Sequence, residues 1–221
     1  MTTLDLIAVI ALASAILFLL FTVLLIVLRV RLGRQLTKLK RVRTKNKKKR
    51  KRLVRQRRAV EKKRRKYMIS ALALFILGSA GVGISAYTIY YQSTNLNQKE
   101  QEQIVKGYYY LNDIEDQLML AESGTGGEEL SSDLTTLASR IGAFAVVRAD
   151  YRLGSDYQQL LNRYYSSLKD LGINLASRNL TFYDNVEELA DFKEDVAKVR
   201  SNQKEVFKAF SVNEDSLKEQ K

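Results

Sequence analysis

Apolar residues dominate two long runs near the start of the chain, Leu6–Leu28 and Tyr67–Tyr91, and neither run holds a charged side chain. Each run exceeds the roughly 20 residues that an α-helix needs to cross about 30 Å of hydrocarbon. No basic residue precedes the first run, and arginines follow it, which favours an uncleaved span over a secretory signal peptide. The pattern therefore predicts two transmembrane helices.

The remaining residues, 92–221, show a helical period, because apolar side chains recur there every three or four positions. The glycine-rich stretch Ser123–Gly127 predicts a break after the first helix, and apolar positions from Leu130 to Tyr151 predict a second. We expect a further break at Gly154 with Ser155 as N-cap, and a C-terminal cap at Gly172. The pattern thus predicts an all-α membrane protein, in which a two-helix transmembrane hairpin carries an antiparallel three- or four-helix bundle. Without Pro or Gly between residues 93 and 103, the first bundle helix could continue from the second span as a stiff stalk.

Charge is distributed very unevenly along the chain. The segment Arg29–Lys66 holds 22 of the 37 Lys and Arg residues and one acidic residue, Glu61, whereas residues 92–221 hold 15 basic and 22 acidic residues. A short basic loop between two spans stays on the cytoplasmic side. We therefore expect an extracytoplasmic tail at 1–5, spans at 6–28 and 67–91, a cytoplasmic loop at 29–66 and an extracytoplasmic domain at 92–221.

Small residues lie four apart in both apolar runs, at Ala11 and Ala15 and at Ser79 and Gly83. This spacing lets helix backbones approach closely in lipid. Counted from the outer ends of the runs, the two pairs fall at similar depths, as two antiparallel neighbours require. We expect them to form the contact within one hairpin. A contact between two copies of the chain is the alternative, which leaves a homo-oligomer open.

The basic loop is the main candidate for binding anionic partners. A leucine stripe on each side of Thr44–Asn46 predicts two helical arms joined by a turn at these residues. Clustered Lys and Arg beside a span bind anionic lipid head groups, at about 1 kcal/mol per residue, and an acidic protein is the alternative partner. The loop lacks aromatic residues for base stacking, so we do not expect specific nucleic-acid recognition. The candidate contacts are Lys47, Lys48, Lys49, Arg50, Lys51, Arg52, Arg55, Arg57, Arg58, Lys62, Lys63, Arg64 and Arg65.

Adjacent tyrosines in residues 92–221 are the candidates for an outer interface. In Tyr108–Tyr110 and in Tyr164–Tyr165, one ring of each group is expected to face the core, which leaves a neighbour facing elsewhere. Exposed tyrosine is common at protein interfaces. The candidate interface residues are Tyr109, Tyr110 and Tyr165. The alternative is that these rings lie half-buried along the edge of the bundle.

The chain contains no Cys, His or Pro. Without Cys it can form neither disulfides nor thiolate metal sites, and without His it lacks the commonest general base and metal ligand. Neither span has an ionisable residue in its interior, which argues against a transporter. The carboxylates show no spacing that would bring a catalytic pair together. We therefore expect no cofactor, no metal ion and no enzymatic activity.

These features favour a non-catalytic assembly or scaffold subunit of a bacterial cell-envelope machine, in secretion, cell-wall synthesis, division or surface-polymer export. Its expected partners are membrane proteins of the envelope and anionic lipid. The Lys-rich, cysteine-free composition suits the plasma membrane of a Gram-positive bacterium. The alternatives are a regulatory or sensory adaptor, although the loop is short for an output module, and a membrane tether that binds anionic lipid or nucleic acid through the loop.

Overall fold

The computed structural model describes residues 3–42, 44–124, 127–178 and 185–218. Within these ranges the chain forms helices and turns and contains no β-strand, so the prediction of an all-helical protein is confirmed. Residues 1 and 2 of the predicted tail and residues 125 and 126 of the predicted break lie outside the described ranges. The chain divides into two compact units, an N-terminal unit of residues Met1–Tyr90 and a C-terminal unit of residues Tyr91–Lys221.

The N-terminal unit is built on two long helices, α1 (Thr3–Arg41) and α2 (Lys47–Thr94), which run antiparallel. The reversal between them falls between Arg41 and Lys47, where the sequence predicts it. The side chain of Asn46 accepts hydrogen bonds from the main-chain N–H groups of Lys48 at 3.0 Å and Lys49 at 3.3 Å. Because the first N–H groups of a helix have no partner within it, this cap stabilises the start of α2.

Both helices are long and apolar enough to cross a membrane. Most large apolar side chains of these helices, such as Leu20 and Leu72, are exposed on the surface of the hairpin. The buried positions form a narrow stripe with a seven-residue period, at Ala8, Ala15 and Thr22 in α1 and at Ala71, Gly78 and Ser85 in α2. A period of seven is typical of helices that pack side by side along their length.

Within its described residues, the C-terminal unit contains four long helices and one short one. Neighbouring long helices run antiparallel, as the ion pair Arg163–Glu205 between the third and fourth of them and the ion pair Lys193–Glu122 between the fourth and the first illustrate. A 3₁₀ turn, Ala143–Val146, follows the second long helix. The helices are α3 (Gln98–Glu122), α4 (Gly127–Gly142), α5 (Ser155–Ser177), α6 (Val186–Phe210) and α7 (Glu214–Lys218).

The apolar stripes predicted from the helical period face a shared core between α3, α4, α5 and α6. Leu111, Ile114, Leu161, Leu168 and Phe192 are fully buried in it. Burying one such side chain contributes about 1.5–3 kcal/mol relative to leaving it in water. The core therefore explains why these helices pack together.

Three predicted helix boundaries in the C-terminal unit are wrong. The second helix ends at Gly142, and Tyr151, which was placed on its apolar stripe, lies exposed in the loop that follows. Ser155 is the first residue of α5, and the N-cap position belongs to Gly154, which makes no side-chain cap. Gly172 lies inside α5 instead of ending it. A Cβ atom there would lie 2.9 Å from Gly142 Cα and 3.0 Å from the Ala138 carbonyl oxygen, so glycine allows α4 and α5 to approach closely.

The helix expected to continue from the second span into the bundle is also interrupted. α2 ends at Thr94 and α3 begins at Gln98. Asn97 caps α3, because its side chain accepts from the Glu100 N–H at 3.0 Å while Glu100 accepts from the Asn97 N–H at 3.1 Å. This reciprocal capping box favours a new helix start. The pair Asn97–Glu100 was visible in the sequence as its signal.

Candidate functional site

The basic arms of α1 and α2 form an exposed cationic surface. Leu36 is buried, and Leu32, Leu39, Leu53 and Val60 are half-buried along the contact between the arms. With the exception of Arg57, every basic residue predicted as a contact is exposed. The ion pair between Lys40 and Glu61, at 3.9 Å, is exposed on both sides and contributes little to stability. The arrangement is able to bind anionic groups by charge.

Arg57 has a different role from the one predicted. Its Nη2 donates to the Leu39 carbonyl at 2.7 Å and to the Val42 carbonyl at 3.1 Å, and its Nε donates to Leu39 at 3.1 Å. The last carbonyls of a helix lack partners within it and carry partial negative charge. Arg57 therefore caps α1 from the neighbouring helix and closes the hairpin, and its prediction as an outward lipid or partner contact is wrong.

The small residues predicted at the contact between the spans are only partly those that the structure uses. A Cβ atom at Gly81 would lie 3.0 Å from the Ala11 carbonyl oxygen and 3.1 Å from Ala15 Cβ. Gly78 also approaches the Ala15 carbonyl. Ser79 and Gly83 are exposed, and a Cβ at Gly83 would have no neighbour within 4 Å. The seven-residue period of small residues in both helices was the better signal.

Three tyrosines are predicted at an outer interface. The prediction for Tyr165 is wrong, because its side chain is only 1% exposed. Its ring packs against Phe144 of the 3₁₀ turn, with centroids 5.9 Å apart, so a segment not predicted from the sequence covers this face of α5. Tyr109 and Tyr110 are half-buried, and the Tyr109 hydroxyl donates to the Leu217 carbonyl of α7 at 3.0 Å. This placement corresponds to the alternative of half-buried rings along the bundle edge.

A polar network crosses the core of the C-terminal unit. Gln203 donates to the Tyr164 hydroxyl at 2.8 Å and accepts from Arg200 Nη1 at 2.6 Å. Arg200 also donates to Glu115 at 2.6 Å and to Asn112 at 2.7 Å. Burial raises the pKa of the Tyr164 hydroxyl, which keeps it neutral. The network joins α3, α5 and α6, and its groups are all occupied with one another, which is typical of a structural role.

A second polar cluster holds the start of α3 against the loop before α5. The buried Glu100 carboxylate accepts from the Asp150 N–H at 2.7 Å, and Asp150 accepts from Asn97 Nδ2 at 2.7 Å and from Arg152 Nη2 at 2.6 Å. Burial raises the pKa of Glu100, whereas the hydrogen bond from Arg152 lowers the pKa of Asp150. Two carboxyl groups whose pKa values shift in opposite directions therefore lie together. Each accepts a hydrogen bond from a main-chain N–H group of the loop, Glu100 from Asp150 and Asp150 from Arg152.

An apolar groove lies between α3 and α6, the neighbouring pair of long helices that packs least closely. Its volume is about 530 Å³. Leu118 and Val196 form its floor, and the exposed side chain of Met119 lies along it. The sequence pattern does not predict this groove. Met119, an apolar residue off the buried stripe of α3, is the feature of the sequence that points to it. The charged side chains that line it are those of Lys193, Arg200, Lys204 and one acidic residue, Glu115.

The groove is an elongated apolar surface between two helices, flanked by charged side chains. Amphipathic helices bind in grooves of this kind through an apolar stripe, with charges matching at the rim. Among the described residues, no group of three acidic, histidine or cysteine side chains is placed to hold a metal ion.

Comparison with known proteins places the chain in no family. No protein-family model matches it, and neither a curated protein nor a solved structure matches it.

Proposed function

We propose that the chain is a non-catalytic assembly subunit of a bacterial cell envelope, anchored by two spans in the plasma membrane of a Gram-positive organism. The exposed apolar surface of α1 and α2 supports insertion, because soluble monomers rarely expose contiguous apolar patches larger than a few hundred Å². In a bilayer, acyl chains surround this apolar surface, so it is not exposed to water.

The basic arms orient the hairpin. α2 has 48 residues and is about 72 Å long, far more than the roughly 30 Å of hydrocarbon, so its basic half extends beyond the bilayer. Short loops rich in Lys and Arg stay in the cytoplasm. The reversal between α1 and α2 is then cytoplasmic, and both the N-terminus and the C-terminal unit are extracytoplasmic.

The groove between α3 and α6 is the observation that carries the assembly function. An apolar floor flanked by charged side chains fits the apolar stripe of an amphipathic helix, supplied by another membrane protein of the envelope. A four-helix bundle held at a membrane and presenting such a groove acts as a docking module. It orders its partners in space and carries out no chemistry.

Topology is tested first, and the cysteine-free chain makes this direct. Single cysteines at Lys45, in the exposed turn, and at Val186, at the start of α6, are treated with a membrane-impermeant thiol reagent. On intact cells, labelling is expected at position 186 alone. Position 45 should be labelled only after permeabilisation. Labelling of position 45 on intact cells would contradict the cytoplasmic placement of the turn and with it the proposed orientation.

The groove is tested by site-specific photo-crosslinking in native membranes. A photoreactive residue at Ala197, in the groove, is compared with one at Ser166, which is exposed on α5. A discrete adduct is expected from position 197 alone, and it should be lost when Met119→Asp is added. Equal adducts at both positions, or none at 197, would contradict the assignment of the groove as the docking surface.

A further inference from the structure

The loop between α4 and α5 carries two strongly exposed apolar side chains. Val146, at the end of the 3₁₀ turn, is 86% exposed, and Tyr151 is 80% exposed. Val147 and Ala149 between them are half-buried and pack against the core. Two large apolar groups therefore project from a segment that is itself anchored to the bundle, so their exposure is a feature of the fold.

The loop is held in this shape by hydrogen bonds to the chain that precedes α3. The Gly154 N–H donates to the Ser93 carbonyl at 2.9 Å, and Asn97 Nδ2 donates to Asp150 at 2.7 Å. Ser93 follows Tyr91, the last residue of the second apolar run, by two positions. Tyr151, which lies between Asp150 and Gly154, is thus held beside residues 93–97, where the C-terminal unit begins.

The chemistry of the loop matches the boundary between lipid and water. Tyrosine and arginine suit this boundary, because each combines an apolar body with a polar end. The Arg152 guanidinium lies 5.4 Å from the centre of the Tyr151 ring, and the exposed Arg148 donates to the Ala145 and Val147 carbonyls. Arg148 can face phosphate groups while Val146 and Tyr151 enter the upper acyl region, whereas Arg152 is paired with the Asp150 carboxylate at 2.6 Å and positions the Tyr151 ring. The loop of residues 143–154 carries two basic residues and one acidic residue, whereas residues 92–221 as a whole hold 15 basic and 22 acidic residues.

We propose that the loop around Val146 and Tyr151 inserts shallowly into the outer leaflet and holds the bundle against the bilayer. The contact gives the C-terminal unit a second attachment besides the chain itself, and so restricts the directions in which the α3–α6 groove can point. This inference rests on the proposed membrane topology. A protein partner at the same tip is the competing outcome of the test.

Because the chain contains no tryptophan, a single Trp reports on one position at a time. Three full-length variants are reconstituted in phospholipid vesicles with and without lipids brominated near the head group. They are Tyr151→Trp at the tip, Val186→Trp at the other end of the bundle, and Phe75→Trp in the second span. Val186 is 84% exposed and therefore matches Tyr151 in exposure. The α5 helix that separates the two ends has 23 residues and is about 34 Å long.

Brominated lipid is expected to quench the Tyr151→Trp variant several-fold more strongly than the Val186→Trp variant, and the emission of Tyr151→Trp should be the more blue-shifted of the two. Equal quenching of the two variants, or no quenching of either, would overturn the inference.

The Phe75→Trp variant separates this inference from the proposed anchoring. Read with lipids brominated deep in the acyl chain, its fluorescence must be quenched if the hairpin is inserted. Loss of that quenching would count against the membrane anchoring itself. Quenching in Phe75→Trp without quenching in Tyr151→Trp would remove only the loop contact.

A second label controls for the possibility that the introduced tryptophan itself draws the loop into the membrane. A nitroxide attached to Val146→Cys should relax more with lipid-soluble oxygen than with a water-soluble nickel complex, and the reverse is expected at Val186→Cys. Preference for the nickel complex at position 146 would assign the tip to water or to a protein partner.

Discussion

The side-chain amide of Gln203 donates a 2.8 Å hydrogen bond to the hydroxyl of Tyr164, and both side chains are fully buried. The adjacent Tyr165 is buried as well, but its hydroxyl finds no hydrogen-bond partner within the described part of the chain. Two neighbouring residues of the same type therefore contribute differently to stability. One hydroxyl completes a network that reaches Arg200 and Glu115, and the other is desolvated without compensation.

Removing the two hydroxyl groups separately should distinguish these roles. Tyr164→Phe leaves the Gln203 amide without its acceptor and should lower the free energy of unfolding by about 1–3 kcal/mol. Tyr165→Phe removes an unpaired polar group, so the free energy of unfolding should stay equal or rise. Urea denaturation of the full-length protein in mild detergent, followed by hydrogen exchange of α5, measures both. Equal losses would mean that Tyr165 has a partner of equal strength.

Gly172 and Gly142 form a matched pair for testing the contact between α4 and α5. A methyl group at Gly172 would press against Gly142 Cα and the Ala138 carbonyl, so Gly172→Ala should destabilise the unit by about 1–3 kcal/mol. Gly142→Ala meets no atom within 4 Å and should be neutral or stabilising, by up to about 1 kcal/mol. Thermal unfolding of the two variants gives the comparison. The same midpoint for both would show that α4 can shift to admit the methyl group.

The two carboxyl groups at the start of α3 should respond to pH in opposite directions. The pKa of Glu100 is raised from 4.5, so the native state binds more protons above that value and its contribution to stability falls as pH rises. The pKa of Asp150 is lowered from 3.8, so its contribution is present above that value and is lost as pH falls through the native pKa. The cost of Glu100→Gln should therefore decrease, and that of Asp150→Asn increase, between about pH 3 and pH 7. Denaturation across this range measures both slopes, and parallel slopes would contradict the assignment.

The basic run Lys47–Arg52 tests how far the hairpin acts by charge alone. Replacing these six residues by Gln should weaken binding of the full-length protein to anionic lipid, whereas changing the lysines among them to Arg should not. Binding should also fall with salt, because exposed charges are screened over about 8 Å at physiological ionic strength. Sixteen basic residues remain in the Arg29–Lys66 segment, so orientation should survive.

The control for this experiment is Arg57→Gln. Its charge is engaged with the α1 carbonyls, so its loss should loosen the turn, measured by proteolysis near residue 42, more than it weakens lipid binding. Unchanged lipid binding in the six-residue Gln variant would leave topology as the only role of the run.

Much of the architecture follows from local properties of the sequence. The two apolar runs, the basic segment between them and the helical period of residues 92–221 each depend on neighbouring residues alone, because solvation and helix periodicity act over a few turns. The turn before Lys47 likewise follows from polar residues that cannot continue a leucine stripe. These features are sufficient to predict an all-helical chain with two candidate spans.

Tertiary structure decided which faces are covered and by what. Tyr165 is buried because a 3₁₀ turn some twenty residues earlier in the chain packs over it, and Gly81 meets Ala11 and Ala15 where the sequence pointed to Ser79 and Gly83. Arg57 reaches carbonyls of a different helix, and the loop carrying Tyr151 is fixed by a hydrogen bond to Ser93. Each of these contacts joins residues distant in sequence. Their partners are set by the register and crossing of whole helices, which no single segment encodes by itself.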